Sequence, residues 1–283
     1  MYSWLTEHKI PLGSWIKTFV DFLNLHAQWL FDFISLVLGS LIDGLTNLLI
    51  LTPPLLLIAI FGAIAYALHR SIRLTAFTVI AFMLVINLGY WQATLETLSL
   101  VIWATVVCVV VGVPIGIAAA HRPWLYAGIR PILDLMQTIP TFVYLIPTLV
   151  LFGLGAVPGL ISTVIFAIPA PIRLTHLGIS SVPSQLQEAG KAFGATRRQL
   201  LYKVELPYAM PTIMAGVTQC IMLSLSMVVI AALVGADGLG KPVVRALNSV
   251  NIGMGFEAGA AIVLLAIVLD RVCKRPEPKS GKR

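Results

Sequence analysis

The sequence predicts an all-α, polytopic membrane protein with about seven transmembrane helices. Of its 283 residues, 58% are apolar and only 11% are charged. A soluble domain is roughly 45–50% apolar and about 25% charged, so a soluble fold of this length would have too few charged residues for its surface. Ten-residue segments of alternating polarity, typical of membrane β-barrels, do not occur in the sequence, so we expect the spans to be helices.

Seven apolar segments are long enough to predict membrane spans. A helix needs about 20 mainly apolar residues to cross the hydrocarbon core of a bilayer. The predicted spans are at about 50–68, 74–92, 97–120, 132–152, 159–176, 208–234 and 257–270. Pro169 and Pro171 weaken the helical pattern of the fifth span, because proline removes a backbone donor.

The segment 1–49 precedes the first span and has a helical pattern of apolar residues. Phe31 and Leu38 recur at helical spacing, but Asp32 and Asp43 interrupt the apolar run. We therefore predict an amphipathic helix that lies along the membrane surface. A single membrane-spanning anchor in this segment is the alternative.

The distribution of Lys and Arg predicts the orientation, because cytoplasmic segments carry an excess of both. Segments on one side of the predicted spans hold 15 of the 19 Lys and Arg residues, and those on the other side hold four. Seven spans place the termini on opposite sides. We therefore expect segment 1–49 outside the cytoplasm and the basic tail 272–283 inside. This topology accounts for the net charge of +7, and nucleic acid is not an expected partner.

A charged stretch, 177–207, interrupts the apolar chain on the predicted cytoplasmic side. Ser184 and Gln187 have the spacing of a capping box and predict the start of a helix. Gly194 is the natural residue to end it. Three residues share one side of this predicted helix: Leu186, Ala189 and Phe193.

A second helix is predicted in the same stretch. Thr196 and Gln199 form another capping-box pair, and Pro207 predicts the end of the helix. The stretch is therefore a hairpin of two short helices around a glycine turn. Its residues alone leave two interpretations open: it docks into a groove of another protein, or it lies on the lipid headgroups.

The motif in the hairpin is Glu188-Ala189-Gly190, then Gly194, then Val204-Glu205-Leu206-Pro207. It resembles the EAA loop of the permeases of ATP-driven (ABC) importers. The family consensus is Glu-Ala-Ala, then Gly, then a branched apolar residue and Leu-Pro at the same offsets. Gly190 and Val204 depart from the usual Ala and Ile, and both changes are small or conserve the shape of the side chain.

This resemblance implies that residues 184–207 dock into a cleft of a separate ATP-hydrolysing subunit. Glu188 would make a charge-assisted contact with that subunit, and Gly194 would permit the close turn. The coupling residues implied by the match are Glu188, Ala189, Gly190, Phe193, Gly194, Leu206 and Pro207.

A wider resemblance covers residues from about 95 to 270. The stretches that carry it are RPILDLMQTIP at 130–140, FVYLIP at 142–147, IRLT at 172–175, MPTIMAGV at 210–217 and LSMVVI at 225–230. They are similar to the permeases of importers for glycine betaine, proline betaine and choline, the ProW/ChoW-like group. The resemblance implies a type I ABC-importer permease core at 93–271, with two accessory transmembrane helices at 50–92. It also implies a permease homodimer, a separate extracytoplasmic substrate-binding protein and a bacterial inner-membrane location.

A quaternary ammonium ion is a permanent cation that donates no hydrogen bond, so aromatic and polarizable side chains suit it. Residues of this type on the expected translocation pathway are Met136, Phe142, Tyr144, Met222 and Met227. Packing between helices is the competing role for each of them. For Asp134 we expect a local ion pair with Arg130 rather than a contact with the solute.

The sequence does not carry the motif of an ATPase. A Gly-x4-Gly-Lys-Ser/Thr phosphate-binding loop is missing. We therefore expect ATP to be used by a partner subunit, and no cofactor, metal ion or catalytic residue in this chain. A secondary transporter would need an ionisable group at the middle of the membrane and would leave the hairpin without a role. An importer of an amino acid or another small solute stays an open alternative.

Overall fold

The computed structural model describes residues 11–274. All regular secondary structure in this range is helical, which confirms the predicted all-α class. In chain order the helices are α1 (Leu12–Leu51), α2 (Pro54–His69), α3 (Ile72–Asn87), α4 (Trp91–His121), α5 (Pro123–Thr138), α6 (Thr141–Phe152), α7 (Ala156–Ala167), α8 (Pro169–Ser180), α9 (Ser184–Ala192), α10 (Arg197–Leu200), α11 (Leu206–Ala231), α12 (Gly240–Asn248) and α13 (Ile252–Cys273). A π-helical turn (Leu201–Glu205) joins α10 to α11, and a 3₁₀ turn (Ala232–Val234) follows α11.

Several helical units in the described range are long and apolar enough to cross a membrane. They are Gly13–Leu51, Trp91–His121, Ala156–Ser180, Arg197–Val234 and Ile252–Cys273, and the pair α5–α6 is a sixth if counted as one unit. Helices α2 and α3 are also apolar, but at 16 residues each they are only about 24 Å long. The seven predicted spans correspond to α2, α3, α4, α5–α6, α7–α8, α11 and α13, so the prediction of a polytopic helical protein is confirmed.

The fourth predicted span, 132–152, is not one uninterrupted helix, because the axes of α5 and α6 meet at 97°. Ile139 between them has extended backbone angles (φ −65°, ψ 131°), since the ring of Pro140 disfavours a helical conformation in the residue before it. The Tyr144 hydroxyl donates a hydrogen bond to the Met136 carbonyl at 2.8 Å and ties the two helices together across the bend. The segment predicted as a span at 132–152 therefore contains a sharp break at Ile139–Pro140.

Helix α1 contains the helix predicted in segment 1–49 and runs without a break over 40 residues, about 60 Å. Its C-terminal half packs on the bundle. Phe31 contacts Phe152 edge to face with ring centroids 5.2 Å apart, and Trp103 Nε1 donates to the Leu41 carbonyl at 2.9 Å. Its length and apolar composition meet the requirement for a membrane span, which the surface-helix interpretation did not anticipate.

The fifth predicted span, 159–176, is realised as α7 and α8 together. Ile168 between them keeps helical backbone angles (φ −60°, ψ −28°). Pro169 occupies the first position of α8, where the fixed φ of proline suits a helix and few backbone bonds are lost. The two prolines of this span therefore do not interrupt it.

Helix α8 packs extensively against both α4 and α11, and glycines bring the backbones of these helices together. Gly112 and Gly116 lie where α4 crosses α8. A Cβ atom on Gly116 would be 2.6 Å from the Cβ of Thr175. Gly178 and Gly216 likewise allow the backbones of α8 and α11 to approach closely. Close crossings at small residues are typical of helix packing in membranes, where burial of apolar surface does not drive association.

The short helices α2 and α3 are part of the same folded unit as the longer ones. They pack on α4 and α13 through a hydrophobic cluster that includes Phe82, Leu98 and Leu265. At the end of α2, His69 Nε2 donates to the Val272 carbonyl in α13 at 3.0 Å. Their assignment as an accessory pair at 50–92 stays a prediction.

Candidate functional site

The charged hairpin lies at the end of the bundle where α4 and α8 finish and α11 begins. Helix α9 has Pro183 as its N-cap residue, and no side chain caps its first turn. Ser184 is already helical, and the Gln187 side-chain amide donates to the Val182 carbonyl at 3.5 Å. The predicted Ser184–Gln187 capping box is therefore wrong, because the extended ψ of Pro183 (136°) starts the helix one residue earlier.

The turn after α9 forms at Gly194, as predicted. Its φ is +78°, a left-handed conformation that suits glycine. The N–H of Gly194 donates to the Lys191 carbonyl at 2.9 Å, and the N–H of Ala195 donates to the Gly190 carbonyl at 3.0 Å, which is a Schellman motif. No atom lies within 4 Å of the position a Cβ on Gly194 would take, so the backbone conformation and not lack of space calls for glycine.

The second predicted capping box is confirmed. Thr196 Oγ1 accepts a hydrogen bond from the Gln199 N–H at 3.3 Å, and Gln199 Oε1 accepts one from the Thr196 N–H at 2.8 Å. Both bonds satisfy backbone donors that would otherwise lack a helical partner. Helix α10 therefore starts at a fixed position directly after the glycine turn.

The helix that begins at α10 does not end near Pro207, as the sequence predicted. It continues through the π-helical turn and then as α11, so Arg197–Val234 is one helical unit. In the π-turn the N–H of Leu206 bonds to the Leu201 carbonyl five residues back. This wider turn gives room for the ring of Pro207, which would clash with the carbonyl four residues back in an ordinary α-helix.

One face of α9 is apolar and exposed. The Phe193 side chain is 91% exposed and Leu186 is 45% exposed, and Ala189 between them is also exposed. Glu188 is also exposed, but at about 100° per residue it lies about 160° around the helix from Leu186. Burial of a Phe or Leu side chain is worth about 1.5–3 kcal/mol relative to exposure, so clustered exposed apolar residues mark a contact surface. We call Leu186, Ala189 and Phe193 the exposed face of α9.

The other residues of the predicted coupling set are in different surroundings. Gly190 lies on the inner side of α9, where a Cβ atom would be 2.8 Å from Cδ1 of Leu200. Leu206 is half-buried in a hydrophobic cluster at the start of α11, and Pro207 is exposed. The predicted set is therefore not one patch. It divides into exposed residues of α9, the turn residue Gly194, and residues that hold the hairpin to the bundle.

Sequence reasoning missed a close polar contact of the hairpin. Glu205 in the π-turn has a side chain only 5% exposed, and its Oε2 lies 2.8 Å from Nε2 of His121 at the end of α4. Nδ1 of His121 lies 2.9 Å from the Ile117 carbonyl oxygen. Glu205 belongs to a charged stretch and His121 to the end of a predicted span, so no signal in the sequence indicates that they meet.

Asp134 forms an ion pair with a different helix from the one predicted. Its Oδ1 lies 2.6 Å from Nη2 of Arg173 in α8. The predicted partner, Arg130, is in the same helix, whereas the packing of α5 beside α8 brings the Arg173 guanidinium to the carboxylate. The predicted Asp134–Arg130 pair is therefore wrong, and the observed pair joins α5 to α8.

The five predicted pathway residues are in unlike environments. Phe142 is 57% exposed just after the α5–α6 bend, and Tyr144 uses its hydroxyl to bond to the Met136 carbonyl. Met222 is 42% exposed on α11. Met227 is fully buried in the core, so it has no surface that a solute could touch in this conformation.

Met222 lines a cavity of about 1140 Å³ between α3, α11 and α13. Thr218 and Gln219 add polar atoms to its wall, and Arg73 and Arg271 lie at its edge. The cavity opens at the same end of the bundle as the hairpin, since the start of α3 and the end of α13 meet there. A largely apolar wall with a few polar groups suits a small solute.

Comparison with known proteins identifies the family. Residues 112–279 match the family described as "Binding-protein-dependent transport system inner membrane component". The chain is 48% identical over 276 residues to the glycine betaine transport system permease protein OpuAB of Bacillus subtilis, and the match covers 97% of each. It is 43% identical to the glycine betaine/proline betaine transport system permease protein ProW of Escherichia coli, over 93% of this chain and 74% of that protein. The glycine betaine/carnitine transport permease protein GbuB of Listeria monocytogenes is also 43% identical, over 93% and 94%.

A solved structure supports the permease fold. The inward-facing MetNI methionine ABC transporter contains a chain that is 26% identical, with a TM-score of 0.56. The match covers 61% of this chain and 87% of that one. The family match extends over more than half of the sequence, and the predicted resemblance to importer permeases is confirmed. The chain belongs to the binding-protein-dependent transport system inner membrane component family, the membrane permeases of ABC importers.

Proposed function

We propose that this chain is the transmembrane permease subunit of an ATP-driven importer for a quaternary-ammonium osmoprotectant such as glycine betaine, proline betaine or choline. The observation that carries the proposal is the exposed face of α9, which precedes a well-formed glycine turn at the positions of the family's coupling loop. The solutes in the names of the relatives support the chemical class, because glycine betaine is common to all three.

Residues 184–207 dock on a separate ATP-binding subunit. Phe193 and Leu186 enter an apolar cleft of that subunit, and burial of Phe193 contributes about 1.5–3 kcal/mol. Glu188 accepts a charge-assisted hydrogen bond from it. ATP is bound and hydrolysed by the partner, so this chain holds no cofactor and does no chemistry itself. When the ATP-binding subunit changes conformation, the hairpin moves with it and shifts the transmembrane helices.

The solute crosses between two copies of this chain, after delivery by an extracytoplasmic substrate-binding protein. The binding protein supplies the aromatic cage that a permanent cation needs. The permease offers only weak contacts, because tight binding there would slow release. Phe142 and Met222 are the best placed of the proposed pathway residues, since both have exposed side chains. Met136 and Tyr144 shape the bend, and Met227 reaches the pathway only after a rearrangement of the core.

The chain lies in the bacterial inner membrane with its N-terminus outside and its C-terminus in the cytoplasm. The excess of Lys and Arg on the side of the hairpin supports this orientation. The structure adds that Arg73, Arg271 and the hairpin are all at one end of the bundle. That end faces the cytoplasm, where the ATP-binding subunit is.

Import of an amino acid is the second candidate, because the solved relative is a methionine transporter. Its identity of 26% is well below the 48% and 43% to glycine betaine permeases. The balance therefore favours a quaternary ammonium solute over an amino acid.

The test is ATP hydrolysis by this chain reconstituted in lipid vesicles with its ATP-binding subunit and binding protein. Glycine betaine, choline and methionine are added in turn. We expect one of the quaternary ammonium compounds to stimulate hydrolysis, whereas stimulation by methionine alone would select the second candidate. Hydrolysis that ignores all three would reject the solute class. Failure of every ATP-binding subunit to bind the chain would reject the docking role.

A further inference from the structure

The Glu205–His121 contact joins a buried carboxyl of the hairpin segment to the half-exposed end of helix α4. We propose that this contact couples movement of the hairpin to α4, which makes Glu205 and His121 positioning residues for solute transport. The inference rests on the proposed function, because it concerns how force from the ATP-binding subunit reaches the pathway.

A continuous chain of contacts leads from the exposed face of α9 to Glu205. On the inner side of α9, the position of a Cβ on Gly190 is 2.8 Å from Leu200 and 3.7 Å from Val204. Val204 precedes Glu205 in the π-turn. A push on the exposed face therefore acts on the π-turn directly, with no flexible loop in between.

The hydrogen bonds of His121 fix the arrangement of the contact. A carbonyl oxygen only accepts, so the bond from His121 Nδ1 to the Ile117 carbonyl places a hydrogen on Nδ1. Nε2 and the Glu205 carboxyl then share one proton across 2.8 Å. Either the imidazolium donates to the carboxylate or the protonated carboxyl donates to Nε2. In both cases the contact is hydrogen bonded, and the histidine ring is held by bonds on both sides.

The surroundings make this contact specific to the junction of α4 and the hairpin. The Glu205 side chain is 5% exposed, whereas that of His121 is 45% exposed. Ile179, Ile213 and Leu206 belong to the apolar cluster packed around the same junction. The packing of these apolar side chains is not directional, so it allows more than one relative position of the helices. The hydrogen bond between Glu205 and His121 is directional and favours one position of α4 relative to the π-turn. The π-turn leads straight into α11, which lines the cavity.

The experiment compares Glu205→Leu, His121→Leu and the double variant in the reconstituted importer. Three quantities are measured: binding of the ATP-binding subunit, the rate of ATP hydrolysis, and the amount of glycine betaine taken up per ATP. Replacement of both hydrogen-bond partners by apolar residues leaves neither partner unpaired and can be nearly neutral for stability, so we expect the double variant to fold and to bind its partner. We expect its uptake per ATP to fall roughly tenfold, within the range typical of coupling between sites.

Glu205→Gln separates the hydrogen bond from the charge. The glutamine amide can donate to Nε2 of a neutral His121, so this variant keeps the contact and we expect near-normal uptake per ATP. The matched control is Gln92→Leu, which removes a 3.0 Å side-chain hydrogen bond to Glu96 within the single helix α4. We expect this control to leave uptake per ATP unchanged.

Two results would overturn the proposal. One is normal uptake per ATP in the double variant, and the other is two single-variant losses that simply add, since residues acting through one contact do not behave independently. Should leucine at 205 prevent assembly, His121→Ala decides in the same way, because this side chain is half exposed. Failure of the proposed function is distinct, since the wild-type importer would then show no uptake of glycine betaine.

Discussion

The backbone N–H of Leu239 donates a hydrogen bond to Thr97 Oγ1 at 2.9 Å, although 142 positions separate the two residues. Both are fully buried. Beside them, a Cβ atom on Gly238 would be 2.5 Å from the same hydroxyl oxygen. The bond therefore fixes the connection between α11 and α12 to the first turns of α4, at the opposite end of the bundle from the hairpin.

Thr97→Val should destabilise the protein by about 1–3 kcal/mol, because it leaves the buried N–H of Leu239 without an acceptor. Thr97→Ser keeps the hydroxyl and is the matched control, with a smaller expected loss. Thermal unfolding in detergent measures both. A loss for Thr97→Ser as large as that for Thr97→Val would show that the hydrogen bond contributes no more to stability than the methyl group does.

Gly116→Ala should destabilise the crossing of α4 and α8 by about 1–3 kcal/mol, the usual cost of overpacking. The added Cβ would be 2.6 Å from the Cβ of Thr175 and 2.7 Å from the Ile172 carbonyl oxygen, so backbones must move apart. Gly128→Ala is the control, because no atom lies within 4 Å of its Cβ position in α5. The control should be neutral or stabilising by up to about 1 kcal/mol. The same thermal shift for both variants would refute this account of the packing.

Glu188→Lys should abolish uptake and leave membrane insertion intact, because it reverses the charge of an exposed side chain of α9. Phe193→Asp should act in the same way by removing the apolar contact. Both are checked by co-purification of the ATP-binding subunit and by uptake of glycine betaine. Leu247→Asp is the control for co-purification, since Leu247 is 76% exposed in α12, outside the apolar spans and at the opposite end of the bundle. Wild-type uptake in the Glu188→Lys variant would remove the docking role.

Gly190→Ala restores the usual residue of the family motif and should have little effect. Alanine favours a helix over glycine by up to about 1 kcal/mol, and the close neighbour is Cδ1 of Leu200, the end of a flexible side chain. Gly194→Ala should instead cost roughly 1–2 kcal/mol, because φ is +78°. Hydrogen exchange of the hairpin amides distinguishes the two. Greater exchange in the Gly190→Ala variant would indicate that Leu200 cannot move aside.

A reporter fused after Arg283 should be active in the cytoplasm, and one fused before Met1 should be active outside it. The excess of Lys and Arg on one side predicts this result. Reporters active on the same side would mean that an even number of helices spans the membrane. Helix α1, which is long and apolar enough, would then be the additional span.

Local features of the hairpin could be predicted from the sequence because they depend on neighbouring residues. The turn at Gly194 and the cap at Thr196 need only their own backbone and the residues within four positions. The cap at Ser184 was wrong for an equally local reason, since Pro183 takes the N-cap position first. The fold class can be predicted from composition, because an apolar chain in lipid must satisfy all its backbone hydrogen bonds internally. Only helices and closed β-barrels do so.

Contacts between distant residues could not be predicted in the same way. Arg173 contacts Asp134, and His121 contacts Glu205, because the packing of helices brings these residues together. The spacing of the residues along the sequence does not predict either contact. The bend between α5 and α6 had a visible cause in Pro140. Mean hydropathy over about 20 residues is still high when one of them is proline, so hydropathy alone predicts a span here and not the bend.

The helical unit Arg197–Val234 connects the hairpin to the opposite end of the bundle without a break. Its 38 helical residues extend over about 57 Å at 1.5 Å per residue, from the second helix of the hairpin to the far end of α11. If one end is held and the rod tilts by about 5°, the other end moves about 5 Å, close to the pitch of one helical turn. If the proposed ATP-binding subunit docks on the hairpin, a small rotation of this end would become a displacement on the scale of a side chain at the opposite membrane surface.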